Sequence, residues 1–470
     1  MGRHLNKPGI QTKPSELHEE ETANDPDTSP HPISDAIDAA LHRYRDIDAV
    51  ARLIVPATAR IQHEMFVGAH DVLQNARSRI PESDGDGLID DVVAAELDES
   101  MLALDRLVEA NLPQTLLDSL FLGLFSAFDA FSGNLLTAIY KMRPELLDSL
   151  NVEIPLANIL KHQTFDELKE SVLYDEIERF RRKSYVEQFE QLECRFGLKL
   201  RAFGNWPRFV ELGQRRNLVT HCEGIVSKQY LRICMENSVQ FEDEIQEGTR
   251  LKVSQEYLLE ACSVIYEVSL KLGQTLWRKL FPDEFLKANE HLEHPVYEAL
   301  RIERWDRAIV LAEFAASVQN GASDLDRRVR IINHAIALRF SGKIDECEAM
   351  LNSEDWTAAA RDFKLAVEVL FGRHYDAANL MRHIGSEGDL LKQKSYHVWP
   401  LFREFRKTQH FLDAYQDVYG TSFATGLAEE AKKVANQSKD TSNDEPEVES
   451  DVGAPDTTRP PLSMIKLLMG

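Results

Sequence analysis

Between residues 33 and 425, apolar residues recur at three- and four-residue intervals in nearly every segment, and no sustained alternation of Val, Ile and Thr interrupts them. That spacing lays a stripe along one helix face, whereas a strand exposed on one side needs a period of two. The expected fold class is all-α. A first helical region runs from Ile33 to Arg79, the turn-rich Pro81–Gly87 ends it, and helices follow over Ile89–Ala110, Thr115–Lys141 and Phe165–Phe196. Pro113 stands where a helix can begin and Pro144 just past where one ends. Gly197 and Gly204-Asn205-Trp206-Pro207 punctuate the approach to the next helix, which carries Arg215 to His221 and can stop at Gly224, a residue type suited to a left-handed cap.

After His291–Pro295 the pattern shortens to helical hairpins. Four phrases recur: Arg304-Trp305-Asp306-Arg307-Ala308, Gly342-Lys343-Ile344-Asp345, Arg373-His374-Tyr375-Asp376-Ala377 and Thr408-Gln409-His410-Phe411-Leu412-Asp413-Ala414. Trp305, Ile344, Tyr375 and Phe411 are 39, 31 and 36 residues apart, scattered about the roughly 34-residue period of tetratricopeptide units. An irregular helical bundle is the alternative. The chain thus divides into a tail over 1–34, an N-terminal helical region over 35–94, a bundle over 95–290, helical hairpins over 296–425 and an acidic tail over 436–470. Both tails are too poor in apolar residues to offset the entropy of ordering, so disorder is expected there. Leu462–Met469 is a candidate docking segment, too short to span a bilayer.

Composition narrows the class of protein. A net charge of -24 over 470 residues excludes coating of nucleic acid by general attraction, since phosphate binding relies on Lys and Arg. Any such contact must be local, and residues 179–216 hold ten Lys or Arg against four Glu. The five cysteines form no CxxC pair, so neither a disulfide framework nor a zinc ribbon is indicated. With no secretory signal in the first 32 residues, a cytoplasmic protein is expected. The apolar stretch Thr115–Tyr140 contains Asp118 and Asp129, costly in lipid, and reads as a buried helix with no membrane partner.

The basic stretch ends on Arg215-Arg216-Asn217-Leu218-Val219-Thr220-His221-Cys222-Glu223-Gly224. Asn217 and His221 are four residues apart and share a helix face. Arg216 lies about 140° around and must wrap its long stem to reach the same ligand. Arginine keeps its charge and offers a fork of donors to phosphate oxygens, and histidine can move a proton near neutral pH. Two further histidines follow an arginine at similar spacing, His334 after Arg327 and Arg328, and His410 after Arg403. Neither has an Asn after the Arg or a glycine exit.

Taken with Trp206 before it and Ile225-Val226 and Tyr230-Leu231 after it, the motif resembles the Arg-x4-6-His signature of the HEPN (higher eukaryote and prokaryote nucleotide-binding) domain family. Phe125-Ser126-Ala127-Phe128-Asp129-Ala130-Phe131 resembles the family helix that brings an acidic residue near the site, and the likeness covers roughly residues 95–280. The resemblance implies a helical bundle that cleaves RNA without a metal or cofactor, by attack of the ribose 2′-hydroxyl on the adjacent phosphorus. His221 would move the proton, Arg216 stabilise charge on phosphate and Asn217 orient the partners. It also implies a homodimer, each copy giving one Arg and one His, in a bacterial toxin or antiviral effector whose C-terminal hairpins dock a protein regulator. Cys222 and Glu223 depart from the Asn or Gly that often follows the family's histidine.

Other readings stand beside this one. Asp129 is either a carboxylate that holds Arg216 or His221 or a helix-face charge, and Arg215 is either a phosphate contact or a solvated neighbour. The two arginines could instead pair with Glu211 or Asp129, leaving a non-catalytic adaptor. Glu82–Asp90 imitates a calcium loop but has Val93 at its twelfth position, where a bidentate Glu is required. His291 and His294 suggest a metal pair, yet Pro295 is expected to break the helix that would hold them.

Overall fold

Helix follows helix along the described residues, as the apolar spacing predicts. The computed structural model describes residues 31–80, 90–150, 153–241, 245–318, 323–429 and 431–432. Among them no strand occurs, only two isolated β-bridges. The acidic turn over residues 82–89, the tail over 1–30 and the C-terminal segment over 433–470 lie outside the described residues. Pro32 opens the first helix, with Ile33 fully buried, so the helix starts slightly before the boundary expected at residue 34.

Helix α1 (Pro32–Ser78) runs through Pro56 and forms a hairpin with α2 (Asp91–Glu109), capped by the Asp90 side chain on the Val92 amide. Helix α3 (Leu112–Met142) follows, capped by Asn111. Its Phe121, Phe125, Phe128 and Phe131 are buried in the apolar core, and the helix packs against α1 and α9 (Gln255–Leu280). Asp91–Met142 is long and apolar enough, by length and composition, to cross a membrane, and half of its most apolar window is buried in the fold.

Between α3 and α9 lie α4 (Leu156–Ile159), α5 (Phe165–Arg181), α6 (Tyr185–Phe196), α7 (Trp206–His221) and α8 (Lys228–Glu236). The single helix expected over Phe165–Phe196 is two. Ser184 starts α6 with a reciprocal capping box: its hydroxyl accepts from the Glu187 amide, and Glu187 accepts from the Ser184 amide. This Ser-x-x-Glu signature, which marks a helix start, lies inside the apolar period and was masked by it.

Helix α10 (Phe285–Arg301) corrects a second expectation, because it continues through Pro295. Leu292, Val296, Ala299 and Leu300 are buried along its face, and that packing outweighs the one hydrogen bond a proline removes. The change of pattern at His291–Pro295 therefore falls inside one helix that joins two apolar cores, with Leu292 and Val296 in the first and Ala299 and Leu300 in the second. His291 is turned inward, bonded to Gln274 and Asp38 at 2.8 and 3.0 Å.

Helices α11 (Trp305–Ser317), α12 (Asp324–Phe340), α13 (Ile344–Asn352), α14 (Arg361–Leu370), α15 (His374–Ile384), α16 (Gln393–Val398) and α17 (Gln409–Tyr419) continue the chain of hairpins, and residues 423–429 and 431–432 are helical too. Three of the recurring phrases begin α11, α13 and α15, and their turns match. Arg304, Lys343 and Arg373 have φ, ψ of -87, 67, of -84, 61 and of -83, 65. Each amide bonds the carbonyl five residues earlier, at 2.8–2.9 Å. A small side chain four residues later, Ala308, Cys347 or Ala377, is fully buried in every case. The fourth phrase differs, since Thr408 is extended and caps α17 through its hydroxyl.

His334, one of the two other histidines at the motif's spacing, sits in α12 with its Nε2 buried and without a hydrogen-bond partner among the described residues. Burial holds its pKa below the ordinary value, the attraction of Glu313 and Glu346 opposing this. With the folded pKa depressed, stability is full above the unfolded value near 6.5 and is lost as pH falls through the folded one. The melting temperature of His334→Gln is thus expected to fall less than that of the wild type between pH 7.5 and pH 5.5. Equal falls would show that this imidazole does not report on folding.

Candidate functional site at the end of helix α7

Helix α7 is tied down one turn before the motif. Glu211, 1% exposed, accepts from four donors: Arg208 at 2.7 Å, Arg215 at 2.9 Å, and the hydroxyls of Tyr230 and Tyr257, both at 2.7 Å. Both guanidinium groups stand 4.6 Å from the centre of the Tyr257 ring. Burial first, and then the Glu211 charge, push both phenols above their ordinary pKa, so each keeps the proton it donates. Arg215 is thereby neither a phosphate contact nor a solvated neighbour. It is 7% exposed, and although burial works against its charge, Tyr257 and Glu211 outweigh that and raise its pKa.

The next residue points elsewhere. Arg216 Nη1 donates to Asn217 Oδ1 at 3.2 Å, and Arg216 Nη2 stands 3.7 Å from Asp129 Oδ2 on α3. Asp129 Oδ1 accepts from the Tyr185 hydroxyl at 2.9 Å. Tyr185 is the first residue of α6, and its ring lies among Phe125, Phe128 and Phe209 at 5.4–5.7 Å. It can do so because α7 has Gly213 there: a Cβ on that residue would stand 2.7 Å from the Tyr185 ring. Burial raises the Asp129 pKa, while the Tyr185 hydrogen bond and the Arg216 and Arg181 charges pull it down. Residues from α3, α6 and α7 thus fix the Arg216 side chain, which keeps 31% of its surface exposed.

His221 ends α7 and is exposed, with no hydrogen bond or ion pair among the described residues. Past it the chain reverses sharply. The Cys222 and Gly224 amides both bond the Leu218 carbonyl, at 2.8 and 3.0 Å, and Glu223 and Gly224 take φ of 49° and 78°. Gly224 and Val226 then exchange hydrogen bonds with residues 248–251 across the Ile225–Arg250 bridge. A Cβ on Gly224 would stand 2.5 Å from the Leu251 carbonyl oxygen. Gly224→Ala is therefore expected to destabilise the fold by about 1–3 kcal/mol in urea unfolding, and a change below about 0.5 kcal/mol would remove the need for glycine here.

The basic stretch is largely neutralised within the fold, which corrects the expectation of a cationic surface leading to the motif. Arg179 and Arg195 pair with Glu176, Arg181 with Glu178, Arg201 with Glu190 and Glu193, and Arg208 with Glu211 and Glu260. Arg182, Lys183 and Lys199 are exposed and make no ion pair among the described residues. Counting charges along the sequence missed this because Glu176, Glu178 and Glu260 lie outside the interval counted.

The structure therefore brings Arg216, Asn217 and Asp129 together, adds Tyr185, withdraws Arg215, and leaves His221 open one turn beyond Asn217. Arg403, ahead of His410, pairs with Glu303. No group of three His, Cys, Asp or Glu side chains is arranged to hold a metal ion among the described residues. Tyr185 was missed by sequence reasoning, and its one signal was the Ser184–Glu187 capping box directly after the basic run Arg181-Arg182-Lys183. No known protein family, curated protein or solved structure matches the chain.

Proposed function

We propose that the chain is a HEPN-type endoribonuclease that cleaves RNA by attack of the 2′-hydroxyl on the adjacent phosphorus, leaving a 2′,3′-cyclic phosphate and a 5′-hydroxyl. The observation that carries this reading is the linkage of Arg216 to both Asn217 and Asp129 beside an unencumbered His221. A phosphate seated against the Arg216 guanidinium receives charge-assisted hydrogen bonds, and His221 supplies proton transfer. Asp129 and Tyr185 orient the arginine. Because each chain carries one such motif, a second copy supplies the second Arg and His, and the biological setting is that of a bacterial toxin or antiviral effector acting in the cytoplasm. The C-terminal hairpins serve to bind a protein regulator.

The reading is tested by incubating the purified chain with total RNA, with and without a chelator, and mapping the new ends. Cyclic-phosphate ends that form equally with chelator support it. Intact RNA, or cleavage that stops with chelator, refutes it.

A second reading, a non-catalytic helical adaptor, is favoured by one observation. Arg216 already has a carboxylate partner in Asp129, as a structural ion pair would. The two readings differ in what the motif does in cells: growth arrest by the wild type but not by His221→Ala favours the enzyme, and equal behaviour favours the adaptor.

A further inference from the structure

Helix α1 carries a second feature, unrelated to the α7 motif. Its members of the apolar core end at Val55. Beyond that point Gln62 Nε2 donates to the Leu107 carbonyl at 3.2 Å, and Ala76 is buried, which places α2 along one side. On the adjacent side Ile54, Ile61, Met65 and Val72 stand 49%, 55%, 52% and 49% exposed. At 100° per residue these four fall within about 40° of one another, a seam roughly 27 Å long. Isolated exposed apolar residues are ordinary, but an aligned row of this length marks an interaction surface.

The spacing of the row identifies its occupant. The intervals are seven, four and seven residues, so the row reads the same from either end. Set antiparallel to itself, it puts Ile54 of one copy opposite Val72 of the other and Ile61 opposite Met65, twice over, as a two-fold contact requires. Glu64 lies about 80° and Arg60 about 120° round the helix from Ile54, on the same side, so Arg60 needs its long stem to reach a partner copy, and neither makes an ion pair or hydrogen bond among the described residues. The same antiparallel setting brings Arg60 of each copy alongside Glu64 of the other.

We propose that this chain forms a two-fold dimer through antiparallel packing of α1 along Ile54, Ile61, Met65 and Val72. The inference rests on α1 alone and does not depend on the ribonuclease reading. Sedimentation of the full chain is expected to show self-association through this row, and assembly beyond a dimer if two copies also meet at their α7 motifs. Ile61→Glu with Met65→Glu raises the dissociation constant roughly thirtyfold or more, while its circular dichroism and melting temperature stay those of the wild type. Arg60→Glu weakens the dimer and Arg60→Glu with Glu64→Arg restores it. His221→Ala leaves it unchanged. Orientation is read by cross-linking: a mixture of Ile61→Cys and Met65→Cys chains joins faster than either chain alone. A monomeric wild type overturns the proposal and leaves the seam to a different protein. A dimer untouched by the two glutamates, or Ile61→Cys alone joining as fast as the mixture, overturns it equally.

Discussion

Under the proposed ribonuclease reading, RNA cleavage by His221→Ala is expected to fall about 10²–10⁴-fold, the usual loss when a positioned acid–base group is removed. Arg216→Ala is expected to lose about 10²–10³-fold, as when a donor to developing negative charge is deleted. These changes can be made without endangering the fold. His221 is exposed and unpartnered among the described residues, and the nearest Arg216–carboxylate approach is 3.7 Å, a distance at which an ion pair adds little stability. Both variants should therefore melt as the wild type does and still bind RNA in a filter assay. Cleavage that persists at the wild-type rate in either would sink the catalytic assignment of that residue. The double variant should lose hardly more than the worse single one, since groups acting on one transition state are not additive.

The largest expected effect on stability belongs to Glu211. Glu211→Ala takes the shared acceptor from Arg208, Arg215, Tyr230 and Tyr257, and Arg215, 7% exposed, is left as a buried cation without its carboxylate. Breaking such a pair from one side costs about 3–5 kcal/mol. Glu260→Ala is the internal control, because that carboxylate is 52% exposed and holds only the outer face of Arg208, so its removal should cost no more than about 1 kcal/mol. Urea unfolding of both variants measures the difference. If they unfold alike, the four-donor arrangement does not hold α7 against α8 and α9, and the placing of the motif needs another cause.

The two results are linked through geometry. The motif occupies the last turns of α7, and Glu211 anchors that helix one turn earlier to tyrosines on α8 and α9. Gly213, between anchor and motif, admits the Tyr185 ring that hands a hydrogen bond to Asp129. A change at Glu211 should thus reduce cleavage indirectly, through a misplaced Arg216.

Much of this was legible in the residues. Periodicity places α1, α2 and α3 within a few residues of their observed limits, because a long amphipathic stripe has only one helical solution. The Asn217–His221 spacing and the Gly224 exit are equally local: i and i+4 share a face in any helix, and a positive φ is tolerated best by glycine. The turns before α11, α13 and α15 could be found as repeated phrases for the same reason. What the residues left open was which distant partner each arginine takes, Glu211 and Asp129 both being candidates. Arg215 and Arg216 are adjacent and chemically identical, yet one is buried against Tyr257 and the other reaches Asp129, a distinction that only the direction of α7 within the bundle sets. Pro295 was expected to end a helix on local grounds and is carried through by its burial between two cores.

By itself, then, the sequence determined the helical class of this protein, the helix that carries the candidate motif and the face on which Asn217 and His221 lie, since each follows from interactions within a few residues. The tertiary structure alone decided which cations are neutralised, which arginine remains at the motif, and that Tyr185 stands behind Asp129. Ion pairing and burial depend on distance in space, and partners such as Glu260 and Tyr257 are brought to α7 only when the bundle closes.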